Sequence, residues 1–297
     1  MVAEPSGDIM ASKRAARPEL SSGLYIVATP IGNAADITLR ALDILRGADA
    51  IACEDTRVSA KLLAIHGISA RLLAYHEHNA ERMRPLLLAR LAAGERVALI
   101  SDAGTPLVSD PGYKLVRDAV AAGIAVQAAP GPSAALAALV VSGLPSNRFL
   151  FAGFLDAKAA GRRRELAELA RIETTLIFYE TGPRLAHSLA DMAEILGDRP
   201  AAVARELTKL FEETVRDSLA ALARRYAETG PPRGEIVIVV GPPLPAPPPA
   251  EAEIDALLSE AMRRASLRDA AAEVAARLDL PRRDVYARAL ALGREET

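Results

Sequence analysis

A loop of small, turn-forming and acidic residues follows the apolar run 97–100, and its composition suits a binding site. Asp102 can accept hydrogen bonds or balance a positive charge, while Gly104 and Pro106 permit a sharp reversal with little bulk beside a ligand. Such an apolar run is typical of a parallel strand covered on both faces, and ligands of open α/β sheets lie at the carboxyl ends of these strands. We therefore expect Asp102 at a ligand crevice. The alternative is a crossover loop in which Asp102 only caps a helix.

Two further strand-to-helix turns have the same chemistry. Residues 29–33 and 130–134 combine glycine, proline and small polar side chains, and Ser133 is available as a helix cap. Small residues at a helix start allow a ligand to approach the free backbone amides. The first turn has only Gly32 where a dinucleotide fingerprint needs three glycines, so an adenine-containing cofactor would be held differently from NAD. The three turns together predict one site.

Charged residues at the end of a second strand are candidates for catalysis. Glu54, Asp55 and Arg57 directly follow the strand 49–53, where they can point into a cleft or form a surface ion-pair cluster of little energetic value. His76 and His78 lie close in sequence without a third metal ligand nearby, so we expect no metal site.

Hydrophobic periodicity supplies the elements that must position these residues. It predicts strands at 24–28, 49–53, 72–75, 97–100, 125–129, 149–154, 175–179, 201–205, 213–216 and 235–240. It predicts helices that end near residues 45, 66, 93, 122, 141, 196 and 230, a basic helix start at 161–164, and three terminal helices at 251–264, 267–278 and 282–292. Strands that alternate with helices are typical of an α/β fold.

The same pattern predicts the domain organisation. We expect a disordered arm at 1–22, an N-terminal α/β domain at 23–145, a second α/β domain at 146–241, a proline-rich linker at 242–250 and a helical domain at 251–297.

Composition excludes several classes of protein. The formal net charge of −2 argues against nucleic-acid binding by the whole surface, and the single Cys53 excludes an internal disulfide. No apolar run is long enough to cross a membrane, and the N-terminus lacks the order of a signal peptide, so we expect a cytoplasmic protein without membrane contact. A local basic patch remains possible, because residues 262–294 hold eight arginines against four acids.

Six strings in this order identify a family resemblance. LYIVATPIGN, CEDTR, LISDAGTPLVSDPG, PGPSA, TLIFYET and ARELTK, spread over residues 24–241, resemble the bacterial small-subunit ribosomal RNA 2′-O-ribose cytidine methyltransferases of the tetrapyrrole methylase superfamily. The string LRDAAAEVAARLDLPRRDVY is similar to the helical domain at the C-terminus of those enzymes. The longer N-terminal arm and the proline-rich linker depart from the family pattern.

The resemblance implies two tetrapyrrole-methylase-type α/β domains with S-adenosylmethionine in the cleft between them, and a homodimer. The cofactor contacts it implies are Ile31, Asp102, Gly104, Thr105, Ser133, Ala134, Phe178, Tyr179 and Leu207. Ser133, Phe178, Tyr179 and Leu207 would line the adenosine part of the site. Small residues and backbone amides would hold the methionine moiety.

The expected reaction is methylation of a cytidine ribose in small-subunit ribosomal RNA, either naked or in an assembled subunit. A ribose hydroxyl is a poor nucleophile, so a base or a cation near the developing alkoxide would help. Candidates for that role are Glu54, Asp55, Arg57, Arg205 and Lys209, and candidates for RNA binding are Arg57, Arg162, Arg163, Arg164 and Lys209. The alternatives are carbon methylation of a tetrapyrrole and, in a different class, a nucleic-acid-binding regulator that uses the C-terminal helices.

Overall fold

The chain forms two five-stranded sheets and a three-helix unit in the computed structural model, which describes residues 20–244 and 249–295. It divides into two compact units between Pro243 and Leu244, inside the segment predicted as a proline-rich linker. Most of the predicted disordered arm lies outside the described residues. In the described part of the chain, no helix is long and apolar enough to cross a membrane.

Five parallel strands form the first sheet. Its strands are β1 (Gly23–Val27), β2 (Ala50–Cys53), β3 (Leu72–Ala74), β4 (Arg96–Leu99) and β5 (Val126–Ala129), in the order β3-β2-β4-β1-β5. Its helices are α1 (Leu39–Gly47), α2 (Thr56–Ile65), α3 (Ala80–Ala92) and α4 (Tyr113–Ala121).

Both faces of this sheet are buried, which explains its continuous apolar strands. Tyr25 and Ala98 belong to the core on one face, whereas Leu24, Val97 and Leu99 belong to the core on the other. Successive side chains of a strand point to opposite faces, so a strand covered on both sides needs apolar residues at every position. The prediction of a buried parallel strand before Asp102 is confirmed.

A mixed sheet forms the second half of the larger unit. It contains β6 (Phe149–Phe154), β7 (Thr175–Thr181), β8 (Pro200–Arg205), β9 (Glu213–Ser218) and β10 (Glu235–Val240), in the order β6-β7-β10-β8-β9. Only β6 and β7 pair in parallel; the other neighbours are antiparallel. One face packs against α6 (Ala159–Leu169), α7 (Gly182–Leu196) and α8 (Leu219–Thr229). All ten predicted strands are present, with ends within two residues of the prediction.

The helix α5 (Ala134–Ser142) follows the last strand of the first sheet but packs against the second sheet. Its Ala135, Ala138 and Leu139 share a core with Ile177 and Val237. Because this helix covers the second sheet, the two halves of the larger unit are joined by packing as well as by the chain. The predicted domain limits stay a prediction.

Three helices form the C-terminal unit: α9 (Glu251–Met262), α10 (Leu267–Leu278) and α11 (Arg282–Glu295). They have their own apolar core, which includes Leu258, Ala270, Val274 and Val285. Five arginines are exposed and form no ion pair with a carboxylate of the described residues: Arg263, Arg268, Arg277, Arg282 and Arg283. The unit therefore carries an accessible basic surface.

Candidate functional site

A cavity of about 360 Å³ lies where the loops after β1, β4 and β5 face strands β7 and β10. This volume is in the range of small-molecule sites. The loops come from the carboxyl ends of three parallel strands, as the sequence predicted for Asp102. Eight of the nine predicted cofactor contacts line it: Ile31, Asp102, Gly104, Thr105, Ser133, Ala134, Tyr179 and Leu207. Their role as cofactor contacts stays a prediction, but the structure brings them together.

Phe178, the ninth predicted cofactor contact, does not line the cavity with its side chain, and its role as a contact stays a prediction. Phe178 is fully buried in the core between the second sheet and helices α6 to α8, whereas Tyr179 lines the cavity. These residues are consecutive in β7, so their side chains point to opposite faces of the sheet. On the cavity face, the Tyr179 ring packs edge to face with Phe151 and Phe154, at ring-centroid distances of 4.8 and 5.5 Å.

Hydrogen bonds join the three loops that line the cavity. Thr29 and Gly104 exchange two backbone bonds of 2.9 and 3.0 Å, which tie the loop after β1 to the loop after β4. The Thr105 hydroxyl donates to the Pro132 carbonyl at 3.0 Å and so joins the loop after β5. A Cβ at Gly104, where φ is +81°, would contact Ile31 and would strain the backbone. The loops therefore form a preorganised wall.

The start of α5 leaves hydrogen-bonding groups directed at the cavity. Ser133 occupies the N-cap position, but its side chain makes no capping bond, in contrast to the cap that the sequence allowed. Its hydroxyl is thus available to a ligand, whereas the backbone of Ala135 in the first turn is hydrogen-bonded to Tyr179.

Non-glycine residues with positive φ flank the cavity on both sides. They are Leu107 (φ 73°) and Ser109 (φ 63°) in the loop after β4, and Glu206 (φ 49°) and Thr208 (φ 67°) in the loop after β8. Such conformations cost about 1–3 kcal/mol each and concentrate at functional sites. The strain supports the assignment of this cavity as the candidate active site.

Three carboxyl groups lie close together at the loop after β4: Asp102 and Asp110 belong to this loop, and Glu54 follows β2. Asp102 lines the cavity and accepts the Asp55 backbone N–H at 3.0 Å, so it both faces the site and contacts the residue that precedes α2. Burial, with the charge of Asp102 close by, raises the pKa of Glu54. Burial and the charges of Glu54 and Asp102 raise the pKa of Asp110 to about 6, against a hydrogen bond from Ser101. The site therefore contains a carboxyl group that titrates near neutral pH.

The remaining candidates at the end of β2 have structural contacts. Asp55 is the N-cap of α2, accepts the Arg57 backbone N–H at 2.8 Å and pairs with the Arg57 guanidinium at 2.6 Å. Hydrogen bonds from Arg57 lower the pKa of Asp55 to about 2. These contacts match the alternative of a surface ion pair, while the exposed guanidinium of Arg57 remains accessible to a phosphate.

The two basic candidates from the second sheet are held by carboxylates. Arg205 pairs with Glu213 at 3.2 Å, and Lys209 pairs with Glu206 at 2.7 Å and Glu235 at 3.0 Å. Lys209 lies against the loop after β1, where a Cβ at Gly32 would clash with the Lys209 Cγ. The backbone N–H of Asn33 donates to the Thr208 hydroxyl in the same region. Lys209 therefore sits where loops of the two sheets meet.

The three arginines at the start of α6, predicted as candidates for RNA binding, differ in their exposure and in their ion pairs. Arg162 is buried and pairs with Asp191 at 2.6 Å, while Arg163 pairs with Asp191 and Glu194. Because α7 brings these acids against α6, Arg162 cannot meet a phosphate without the loss of a buried ion pair. Arg164 is the exposed member of the run.

Sequence reasoning missed other residues that line the cavity, among them Asp110, Glu180 and Glu235. Asp110 stands in the string SDPG, whose residue types favour a turn before α4. An acidic residue eight positions after Asp102 in the same loop was the available signal. Glu180 gave no such signal, since it lies within a strand. Within the described residues, no group of three or more histidine, cysteine or acidic side chains could hold a metal ion.

A parallel and a mixed sheet with a cavity at the carboxyl ends of the parallel strands define a two-sheet cleft fold, and the chain belongs to a family with this architecture. It is a member of the Tetrapyrrole (Corrin/Porphyrin) Methylases, whose family model matches residues 23–223. Residues 248–293 match the model of the RsmI C-terminal HTH domain. The resemblance identified from the six sequence strings is confirmed.

Individual relatives agree with this assignment. The chain is 54% identical over 278 residues to the ribosomal RNA small subunit methyltransferase I of Mesorhizobium japonicum, covering 93% of this chain and 94% of that protein. It is 52% identical over 273 residues to the protein of the same name from Erythrobacter litoralis, covering 92% and 96%.

Solved structures share the fold at low sequence identity. A diphthine synthase has a TM-score of 0.58 at 17% identity, covering 73% of this chain and 89% of its own. The uroporphyrin-III C-methyl transferase of Thermus thermophilus, solved with S-adenyl homocysteine, has a TM-score of 0.53 at 22% identity, covering 74% and 97%.

Proposed function

We propose that this protein transfers a methyl group from S-adenosylmethionine to the ribose 2′-oxygen of a cytidine in small-subunit ribosomal RNA. The observation that carries the proposal is the cavity, which gathers eight residues implied by the family resemblance from five separate segments of the chain. The names of the two relatives described above, each more than 50% identical, support RNA rather than a tetrapyrrole as the acceptor.

The residues of the cavity fit this cofactor. Small side chains at Gly104 and Ala134 leave the backbone accessible, and the uncapped Ser133 offers a hydroxyl to a polar group. Tyr179 and Leu207 provide apolar and aromatic walls for a flat base. The acidic side chain of Asp102 suits the positive charges of the cofactor. A fold relative that was solved with S-adenyl homocysteine adds further support.

The chain must align an acceptor oxygen and exclude water. S-adenosylmethionine supplies an activated methyl group when it is bound. The preorganised loops after β1, β4 and β5 would hold the reactants in a fixed geometry, which lowers the entropic cost of the reaction. Lys209, which pairs with the cavity-lining Glu235, and the exposed Arg57 would approach the phosphates of the RNA.

A homodimer extends the proposal. Leu136 and Val140 lie one turn apart on α5 and are 48% and 76% exposed, while Leu210 and Phe211 are 90% and 67% exposed in the loop after β8. Apolar side chains exposed in this way suit a protein partner. Light scattering of the purified protein should give twice the mass of one chain.

Nucleoside analysis tests the activity. The purified protein should transfer labelled methyl groups to small subunits, or to their RNA, from a strain that lacks its own enzyme of this kind. Digestion and mass spectrometry should then detect 2′-O-methylcytidine. The same mixture with uroporphyrinogen III as the acceptor is the control. Transfer to the tetrapyrrole and none to RNA would overturn the proposal.

A further inference from the structure

We propose that Asp110 is the catalytic base that accepts the proton of the acceptor hydroxyl. This inference rests on the proposed function and adds a residue that was not among the candidates from sequence. It follows from the position of Asp110, from the bonding of the other acids in the cavity and from the electrostatic surroundings.

The position of Asp110 is fixed by tight packing. It lines the same cavity as Asp102 and Ser133, in the loop between β4 and α4. The preceding Ser109 has φ of 63°, and the Ser109 hydroxyl would be 3.3 Å from a Cβ at Gly153 of the second sheet. At Gly112, where φ is 134°, a Cβ would meet Leu99 Cδ2 at 2.8 Å. The loop is therefore held on both sides of Asp110, as a catalytic group requires.

Two other acidic side chains that line the cavity, those of Glu180 and Glu235, form ion pairs with basic residues. Glu180 is buried, accepts the Thr181 N–H at 2.8 Å and bonds to Ser188 and Arg184. Glu235 pairs with Lys209.

Asp102 accepts the Asp55 amide with one oxygen. Among the described residues, the side chains that influence the pKa of Asp110 are Glu54, Ser101 and Asp102, and none of them is a cation. Asp110 is thus the lining acid best able to exchange a proton with a substrate.

Burial and neighbouring charges raise the pKa of Asp110 towards the working pH of a base. Glu54 from the end of β2 and Asp102 from the end of β4 disfavour its ionisation, and Tyr179 lies near it on β7. Burial is the largest influence, and together these groups place the pKa of Asp110 at about 6. A base with a pKa close to the working pH accepts protons efficiently and still releases them to solvent.

The step balances without any further reactant. The O–H bond of the ribose hydroxyl breaks, and its proton moves to a carboxylate oxygen of Asp110. The oxygen forms a bond to the methyl carbon as the carbon–sulfur bond of the cofactor breaks, and its electron pair stays on sulfur. The products are a 2′-O-methyl ribose and S-adenosylhomocysteine, after which Asp110 loses its proton to water.

Single-turnover kinetics of Asp110→Asn over pH 5–9 test the assignment. We expect the rate of methyl transfer to fall by about 10²–10⁴-fold at pH 7.5, which is the usual contribution of a positioned base. The wild-type rate should rise through a pKa that the variant lacks, and Asp110→Glu should restore part of the rate. Cofactor affinity by calorimetry should change by less than about threefold. Glu168→Gln, on the exposed face of α6, is the matched control and should leave the rate unchanged.

A second measurement guards against a folding defect. The ionised Asp110 is disfavoured in the folded protein, so stability should decline as pH rises through its pKa of about 6. Asp110→Asn removes this charge and should melt above the wild type at pH 8, with the difference narrowing below pH 6 and closing near the ordinary aspartate pKa of 3.8. A melting difference that is independent of pH would count against the assignment.

The other outcomes separate the two proposals. A variant with a wild-type rate and pH profile would overturn the role of Asp110 alone. Weaker cofactor binding by Asp110→Asn with an unchanged pH profile would make it an anchor for the cofactor's ammonium group and would also overturn the role. A wild-type protein that methylates no RNA would overturn the proposed function, and this inference with it.

Discussion

Asp102 combines a structural contact with a position in the cavity, and substitution can separate the two. Asp102→Ala should weaken S-adenosylmethionine binding at least tenfold, because it removes a carboxylate from the cavity wall. It also removes the acceptor of the Asp55 N–H, at a cost of about 1 kcal/mol in stability. Asp102→Asn keeps an acceptor oxygen and should recover the stability without the affinity. Unchanged cofactor affinity in a folded Asp102→Ala protein would contradict this prediction.

The arginines at the start of α6 should differ from one another in what their loss affects. Arg162→Gln leaves Asp191 buried with only Arg163 as a partner, so we expect a loss of about 3 kcal/mol in urea unfolding. Arg164→Gln changes an exposed residue and should alter stability by less than about 0.5 kcal/mol. If Arg164 contacts RNA, this variant should bind RNA more weakly and with a smaller dependence on salt. Filter binding at several salt concentrations measures the effect, and an unchanged salt slope would remove Arg164 from the RNA-binding surface.

Helix starts in this protein serve two different purposes, which paired substitutions can reveal. Thr38 caps α1 by accepting the Ala41 N–H, so Thr38→Ala should cost about 1 kcal/mol in stability and leave cofactor affinity unchanged. Ser133 makes no capping bond at α5, so Ser133→Ala should cost less stability but should weaken cofactor binding. Thermal melting and calorimetry on both variants check the contrast. Equal losses of stability, with unchanged affinity in both, would show that Ser133 has no ligand role.

At the scale of the whole molecule, the cavity and the basic helices belong to separate compact units. Every residue that lines the cavity precedes Pro243, and the C-terminal unit has its own core. Deletion of residues 250–297 should therefore leave S-adenosylmethionine affinity nearly unchanged. It should lower methylation of ribosomal RNA, because exposed arginines such as Arg282 and Arg283 are lost, and should flatten the salt dependence of RNA binding.

Full-length Arg282→Gln, Arg283→Gln is the matched control for this truncation. It should reproduce part of the loss in RNA binding without removal of the unit. Identical turnover and salt slopes for the intact, truncated and substituted proteins would show that these helices do not contact RNA. The tetrapyrrole alternative would then gain support.

The sequence by itself determined the strands, the sheet that needs apolar residues at every position, and the loops that face the ligand. These features depend on neighbours in the chain: the run 97–100 must be buried on both sides, and the glycine and proline that follow must turn. It also determined the family, because six strings in order are specific.

Tertiary structure alone decided which side of each element matters. Phe178 and Tyr179 looked equivalent in sequence, but the cavity lies on one face of β7 and only one of two consecutive side chains can reach it. Arg162 stands in a run of three arginines in sequence, and only the fold places Asp191, 29 positions away on α7, against it. Asp110 belongs to a turn in sequence, but burial, together with the charges of Glu54 and Asp102 after β2 and β4, raises its pKa. Burial and charge depend on elements distant in the chain, so local sequence patterns cannot specify them.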